Sequence, residues 1–426
     1  MIRQWLSSTA EDAALTLEEL SYADSKEWAA IDGALLHRSR GFFGVVGVRW
    51  ASANGVVTER PFIDQQETGV LGLLMRQRAG RAEILMHAKV EPGNVGGAQL
   101  APTCQSTGSN ARRLHGGAAP PFSEPFWSPG RAPVYDRLQS EQGSRFWRKR
   151  NRNVLMRAPA DPAVPPSHRW LEVDHILEVL HEDYLVNTDA RSALVCSPWR
   201  ALVNRQPFSR VHSSFGIDLF RSAQSSSRPA TLAAVKAAIR AARATSIAGH
   251  IVRLDQLAGW RFEDRGLVPV DGRPFVIRPI RVSVRGREVE TWDQPIVDAA
   301  SDGLVVLACG RIDGVLHFHL RARAEAGSYH RVELTATVVV EPGEEPDRYG
   351  GAEPQGVMRA ECRQSEEGGR FFRDANVYKI VDVGDVNDGC TDGYWLTLGD
   401  VRQLLDEEGW LTNEVRSALS LLLPWM

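Results

Sequence analysis

The chain has 426 residues, 43% apolar and 24% charged, with a formal net charge of −3. A single hydrophobic core rarely grows past roughly 250–300 residues, so two or more domains are expected. The near-neutral balance excludes a general polyanion binder, so no nucleic-acid partner is expected and any anionic ligand needs a local basic pocket.

Taken in chain order, the N-terminal segment carries acidic residues where a secretory signal would need an apolar core. Phe42–Trp50 and Arg81–Val90 are rich in Val, Ile and aromatics and read as strands. His115–Tyr135 is rich in Gly and Pro and reads as a long loop, and Ala158–Pro166 as a second connection. Trp170–Val186 places apolar residues at helical spacing. Thr231–Ala244 is a helix by propensity that links or packs two halves. Pro274–Val284 and Val315–Glu325 repeat the strand signature, Glu341–Pro354 repeats the long loop, and Trp395–Leu411 repeats the helix behind cap residues at Thr397–Asp400. Strands followed by helices, without strict alternation, argue for an α+β fold.

These parallels are an internal duplication. Trp28 answers Trp260 at an offset of 232, and Ala88–Gly93 (AKVEPG) answers Ala322–Gly327 (ARAEAG) at 234. Gln139–Asn151 (QSEQGSRFWRKRN) then answers Gln364–Asn376 (QSEEGGRFFRDAN) at 225, as Ala190–Val195 answers Val415–Ser420. The expected organisation is a first repeat over 1–220 (core 28–199), a connecting helix within 221–246 and a second repeat over 247–426 (core 260–425).

Five widely spaced cysteines without a CxxC pair argue against a disulfide framework or zinc cluster. No apolar run nears the roughly 20 residues of a membrane span, so a cytoplasmic protein without a membrane partner is expected. There is no P-loop, no GxGxxG after a strand, no GxSxG and no metal spacing among the histidines. No metal and no redox cofactor is expected.

Three constellations carry the candidate chemistry. Period-two alternation puts Lys89 and Glu91 on one strand face, where they form either a surface ion pair or a proton-exchanging, oxyanion-holding pair. SEQGSRF and SEEGGRF set Glu141 with Arg145, and Glu366 with Arg370, around a Gly turn that is either a braced hairpin or an anion grip. Arg148–Asn153 (RKRNRN) is either a solvated strand edge or a diphosphate receiver. Val186–Leu194 follows the helical pattern of Trp170–Val186, and Asn187, Asp189 and Arg191 read as residues that cap and brace that helix.

The strings HAKVEPGN, QLAPTCQST, SNARRLHGG, SEQGSRFWRKRNRN and LVNTDARSALVC, with QSEEGGRFFRDAN and WLTLGDVRQLL in the second copy, resemble the NDP-hexose 2,3-dehydratases over nearly the whole chain. The resemblance implies two tandem Nudix-like domains, a homodimer, and a role in deoxysugar pathways for glycosylated bacterial natural products. It implies one active nucleotide-sugar pocket per subunit, its duplicate being a remnant. It also implies the substrate, a dTDP-linked hexose (dTDP-4-keto-6-deoxyglucose), and a downstream 3-ketoreductase that takes the product. The sugar's own C4 ketone is the electron sink, in keeping with the absent cofactor motifs.

With that reaction implied, the candidate catalytic residues are Lys89, Glu91, Gln105, His115 and Glu141. Lys89 is read as the oxyanion donor and Glu91 as base or acid. Gln65, Glu67, Asn94, Thr103 and Asn110 are candidates for binding substrate, and Arg112, Arg145, Arg152 and Asn153 complete that set, the arginines toward the diphosphate. Arg323, Glu325, Glu366, Arg370 and Asn376 are assigned to the second pocket. The chain departs from the family pattern in reading Thr58–Pro61 (TERP) against Trp292–Pro295 (WDQP), and in Ala111 where the family has Tyr. Leu334–Val340 (LTATVVV) replaces the P-T-x-Q string of the first copy, which makes the second pocket the weaker one. The Nudix metal box is not visible. A non-catalytic nucleotide-sugar binding protein and a Nudix-type hydrolase are the competing readings.

Overall fold

The computed structural model describes residues 1–51, 55, 57–65, 67–113, 116–128, 132–159, 162–210, 213–226, 229–246, 248–272, 274–344, 352–386 and 393–426. The architecture is mixed α+β. Two seven-stranded sheets have the same strand order. In the first, the central strand Gly69–Arg78 runs parallel to Arg150–Arg157 and antiparallel to Arg81–Val90. Tyr135–Ser140 and His168–Glu172 flank these, and Ala98–Ala101 and Cys104–Thr107 pair on the inner strands. In the second, Gly303–Ile312 is central, parallel to Ala375–Asp385 and antiparallel to Val315–Ala324, with four further strands in the corresponding places. The first seven residues of Gly69–Arg78 are all buried, as a strand covered on both faces requires.

Two five-stranded sheets accompany them, and each borrows a strand across the halves. Thr16–Glu19, near the N-terminus, pairs with Phe275–Ser283 of the second small sheet. His250–Val252, at the start of the second half, pairs with Gly44–Ala51 of the first. The core is correspondingly continuous: Ile84, Leu180 and Leu194 belong to one buried cluster with Leu307, Leu334 and Leu419.

Helices Thr188–Cys196 and Asn413–Ser420 pack together where the halves meet. Each carries a fully buried arginine, which is tolerable only when the guanidinium is satisfied. Arg191 donates to the carbonyls of Val186 (3.1 Å) and Leu180 (2.9 Å) and to Ser420 Oγ (3.0 Å). Arg416 donates to the carbonyls of Leu411 (2.7 Å) and Ser140 (2.6 Å) and to Ser192 Oγ (3.0 Å). Each arginine therefore ties the two halves together.

Two element expectations are corrected. Trp170–Val186 is not one helix: its start completes strand His168–Glu172, and helix Val173–Glu178 with the 3-10 turn Val179–His181 follows. Likewise Trp395 lies in strand Tyr394–Thr397, and only Leu398–Leu405 is helical, capped reciprocally by Thr397 and Asp400. Antiparallel pairing at a sheet edge outweighs helical periodicity over those first residues. Helix Pro229–Thr245 packs on the second half, Arg243 donating to the Val332 carbonyl at 2.8 Å.

Candidate active site

A cavity of about 470 Å³ lies over the first large sheet. Strand Arg81–Val90 ends there, so Lys89 and Glu91 project to one side and pair at 2.8 Å, their side chains only 10% and 6% exposed. Burial alone would raise the Glu91 carboxyl. Lys89, Arg287 and Arg370 outweigh it and hold the group below its ordinary value. The Lys89–Glu91 pair is thus a buried charged pair on a cavity wall, not a surface bridge.

Gln105, on strand Cys104–Thr107, faces the same space. Its Oε1 accepts from Asn187 Nδ2 (3.2 Å), whose Oδ1 in turn accepts from the Ala190 amide (2.8 Å) as helix cap. The cap thereby fixes a cavity side chain. Two residues on, Asp189 lines the cavity. Burial, then the charges of Glu367 and Glu141, push its carboxyl well above the ordinary range. Lys149 also lines the cavity; burial pushes it down to about 8, and its Nζ donates to the Glu67 carbonyl (2.6 Å).

The second half completes this wall. Its hairpin loop, residues 366–374, reaches across and seats on the turn at Gly93. The Gly93 amide donates to the Gly368 carbonyl (2.7 Å), and the Arg373 amide to the Gly93 carbonyl (2.9 Å). A Cβ on Gly93 would lie 1.6 Å from the Phe371 carbonyl oxygen, so only glycine permits this approach. The seating delivers Glu367 and Arg370 to the cavity. Arg370 donates to Gln65 Oε1 (3.3 Å) and lies 3.9 Å from the Phe43 ring centre.

The exchange is reciprocal. Residues 141–149 seat on Gly327, whose amide donates to the Gly143 carbonyl (2.9 Å) and whose carbonyl accepts from the Arg148 amide (2.7 Å). Arg145 therefore sits in the second half, donating to the Pro342 carbonyl (2.6 Å) and lying over Phe275 (4.3 Å). This corrects two expectations: Arg145 does not reach the first cavity, and Arg370 does. The cause is topological. Each loop is tied to its own small sheet through Ile63–Phe146 or Val297–Phe371 and crosses from there to the opposite half.

The corresponding space in the second half is filled by its own side chains. Arg323 stands where Lys89 does and binds both Glu325 (2.9 Å) and Glu341 (2.8 Å). Glu414 takes the place of Asp189 and Val339 that of Gln105. Carboxylate oxygens of Glu325, Glu341 and Glu414 lie within 4.8 Å of one another, a spacing that suits a shared cation. The Arg323 guanidinium supplies that positive charge. Burial pushes Glu325 up to about 8 and raises Glu414 as well, so the cluster shares protons.

The remaining candidates are dispersed. Asn110 lines the cavity, and Glu67 braces its short helix by accepting from Ser109 Oγ (2.6 Å) and Arg112 (3.4 Å). Thr103 is at the wall, but its hydroxyl is taken by the Leu74 amide (2.9 Å) and the Leu85 carbonyl. Asn94 holds its own turn through the carbonyls of Lys89 (3.0 Å) and Gly97 (2.9 Å). Glu141 lies behind the wall, its oxygens accepting from Asn151 (2.8 Å) and Asn413 (2.7 Å), and burial pushes it up to about 7. Glu366 is its counterpart, bound by Asn376 and Gln142. Arg152 is spent on Asp136 (3.1 Å), and Asn153 accepts from Ser192 (3.1 Å). His115 lies outside the described residues. Sequence reasoning missed Glu367 and Arg287 at the cavity, held Lys149 only as part of the basic run Arg148–Asn153, and gave Asp189 to bracing a helix. The signal it passed over was the acid at one position of both repeats, Asp189 and Glu414.

A family model described as NDP-hexose 2,3-dehydratase matches residues 1–197 and 233–422. Three relatives are each named dTDP-4-dehydro-6-deoxy-alpha-D-glucopyranose 2,3-dehydratase. The protein from Saccharopolyspora spinosa is 33% identical over 98% of this chain and 90% of its own. That from Amycolatopsis orientalis is 30% identical over 98% and 89%, and that from Streptomyces violaceoruber 36% over 87% and 84%. Matched by the family model over residues 1–197 and 233–422, and holding a cavity that both halves line, the chain belongs to the NDP-hexose 2,3-dehydratase family.

Proposed function

We propose that the protein converts dTDP-4-keto-6-deoxy-D-glucose to dTDP-3,4-diketo-2,6-dideoxyglucose by removing the C3 proton and the C2 hydroxyl. The observation that carries this is the buried Lys89–Glu91 pair in a cavity lined by both halves, in a chain whose relatives bear that activity in their names. The C4 ketone acidifies the C3 hydrogen. Glu91, held ionised by its cationic neighbours, takes that proton. Lys89 faces the charge that develops on the C4 oxygen. Expulsion of the C2 hydroxyl leaves an enol, which tautomerises to the diketone. Gln65, Gln105 and Asn110 orient the sugar, and Arg370 grips an anionic oxygen of the diphosphate. The cavity volume falls in the range of roughly 300–1,000 Å³ typical of small-molecule sites.

The same reading takes the halves as a tandem duplication of a Nudix-like domain, divided near 220 and 247. The matching strand orders and the reciprocal loops support it. The second half is a remnant pocket, supported by the Arg323 plug. A cytoplasmic homodimer working beside a 3-ketoreductase, within deoxysugar assembly for glycosylated antibiotics, completes the proposal. Among the described residues no helix is long and apolar enough to cross a membrane.

The test is incubation with the keto sugar nucleotide and a 3-ketoreductase as trap, followed by mass spectrometry with and without magnesium. Loss of one water and capture of a 2,6-dideoxy sugar is the expected result. Unchanged substrate from a sample that binds dTDP would support a binding protein. Magnesium-dependent release of dTMP would support a hydrolase.

A further inference from the structure

Resting on that dehydratase reading, we propose that Asp189 is the general acid that protonates the departing C2 hydroxyl, while Glu91 takes the C3 proton. Asp189 is only 2% exposed, yet it belongs to the cavity wall. The helix does not need it as a cap, because Asn187 already accepts from the Ala190 amide. Asn187 also holds Gln105, which lines the cavity together with Asp189. The second half keeps an acid at the same place, Glu414, deep among Arg323, Glu325 and Glu341.

Among the carboxyls that line the cavity, Glu91 and Asp189 have opposite surroundings. Glu91 is set among Lys89, Arg287 and Arg370, which favour the carboxylate. Asp189 is buried, and burial with the charges of Glu367, Glu141 and Glu91 outweighs the opposing charge of Lys89, which favours the protonated acid. Paired carboxyls pushed apart in this way divide the roles of base and acid. Two nearby proton donors are engaged: both oxygens of Glu141 are held by Asn151 and Asn413, and Lys149 is bound to the Glu67 carbonyl.

The step balances. The C3–H bond breaks, Glu91 gains the proton and the electron pair enters the C4 enolate. As the C4 carbonyl re-forms, the C2–C3 double bond forms, the C2–O bond breaks and the hydroxyl leaves as water with the Asp189 proton. The resulting 3-enol returns its O–H proton to Asp189 while Glu91 delivers its proton to C2. Both carboxyls regain their starting state with no oxidant or reductant.

The experiment uses the full chain and three measurements on Asp189→Asn: water loss from the keto sugar, deuterium exchange at C3 in D₂O, and fluoride release from the 2-deoxy-2-fluoro analogue. Fluoride leaves without a strong acid. Water loss should fall about 10²–10⁴-fold, while C3 exchange and fluoride release persist near the wild-type rate. Asp189→Glu should recover part of the water loss, and dTDP binding by calorimetry reports that the variant is folded. Water loss near the wild-type rate would overturn the assignment. So would a fluoride release that falls in step with water loss, because the residue would then act through structure. Wild-type protein inert toward the keto sugar would instead defeat the dehydratase reading itself.

Discussion

Replacing Gly93 with alanine separates the docking of the crossing loop from the stability that the docking confers. The new Cβ would stand 1.6 Å from the Phe371 carbonyl oxygen, where ordinary contact begins at 3.4 Å, and both partners are backbone. Relief requires the loop 366–374 to lift, which loses two backbone hydrogen bonds, at 2.7 and 2.9 Å. Overpacking costs about 1–3 kcal/mol and each lost bond about 0.5–1.5 kcal/mol, so the loop loses roughly 2–6 kcal/mol of docking. Gly327→Ala is the matched control. Its Cβ would lie 2.0 Å from the Phe146 carbonyl oxygen, and the same pair of bonds is lost in mirror image. Chemical denaturation should therefore show similar destabilisation in both variants. Turnover should not match: Gly93→Ala withdraws Arg370 and Glu367 from the cavity and should cost about 10²–10³-fold in kcat/KM. Gly327→Ala displaces the stretch 143–148, which carries Arg145 and none of the residues that line the cavity. Kinetics would be measured by mass spectrometry at a temperature where both variants are folded. Equal losses of turnover, or a fully active Gly93→Ala, would refute the claim that the crossing loop completes one site only.

Three further outcomes are expected. Glu91→Gln should retain dTDP affinity by calorimetry while kcat falls about 10²–10⁴-fold; turnover near that of wild type removes Glu91 from the mechanism. Arg370→Ala should weaken binding of the nucleotide sugar, whereas Arg145→Lys should leave KM unchanged, a contrast that titration with dTDP and initial rates can check. Asp374 has one oxygen on the Ala299 amide (2.9 Å) and the other buried without a hydrogen bond, and burial pushes it up from 3.8 to about 7. The folded state then holds the proton more tightly than the unfolded state. The stabilisation is fully present below the unfolded value and is lost as pH rises through about 7. Asp374→Asn should thus gain stability relative to wild type between about pH 5 and pH 8 in denaturant titrations.

Much of the fold was legible because repetition is a one-dimensional signal. The order of strands followed by helices foretold the α+β class, and strand Arg81–Val90 emerged with the bounds its composition suggested. The Lys89–Glu91 pairing followed from strand alternation, and Thr397 caps its helix as the spacing implied. Which pocket a loop enters is different in kind. SEQGSRF and SEEGGRF are nearly identical strings, and nothing local to either encodes a crossing. The information lies in Gly93 and Gly327, far away in the chain, whose missing side chains admit the partner backbone. Asp189 was hidden for a similar reason. Read as a brace for the helix before it, the aspartate showed no cavity role until the fold set it on helix Thr188–Cys196, whose cap is Asn187.

The strands exchanged between the small sheets bear on how such a gene can change. Thr16–Glu19 completes the second half and His250–Val252 completes the first, so cutting the coding sequence between the repeats leaves each fragment missing an edge and carrying one it cannot use. Deletion of the second half would strip the cavity of Arg285, Arg287 and Arg370 and the first small sheet of a strand at one stroke. What remains open is unequal drift. On the proposed reading, substitutions in residues 143–148 act on stability alone, whereas those in residues 366–374, which carry Glu367 and Arg370 to the cavity, also touch turnover, so the two loops are held under different constraints.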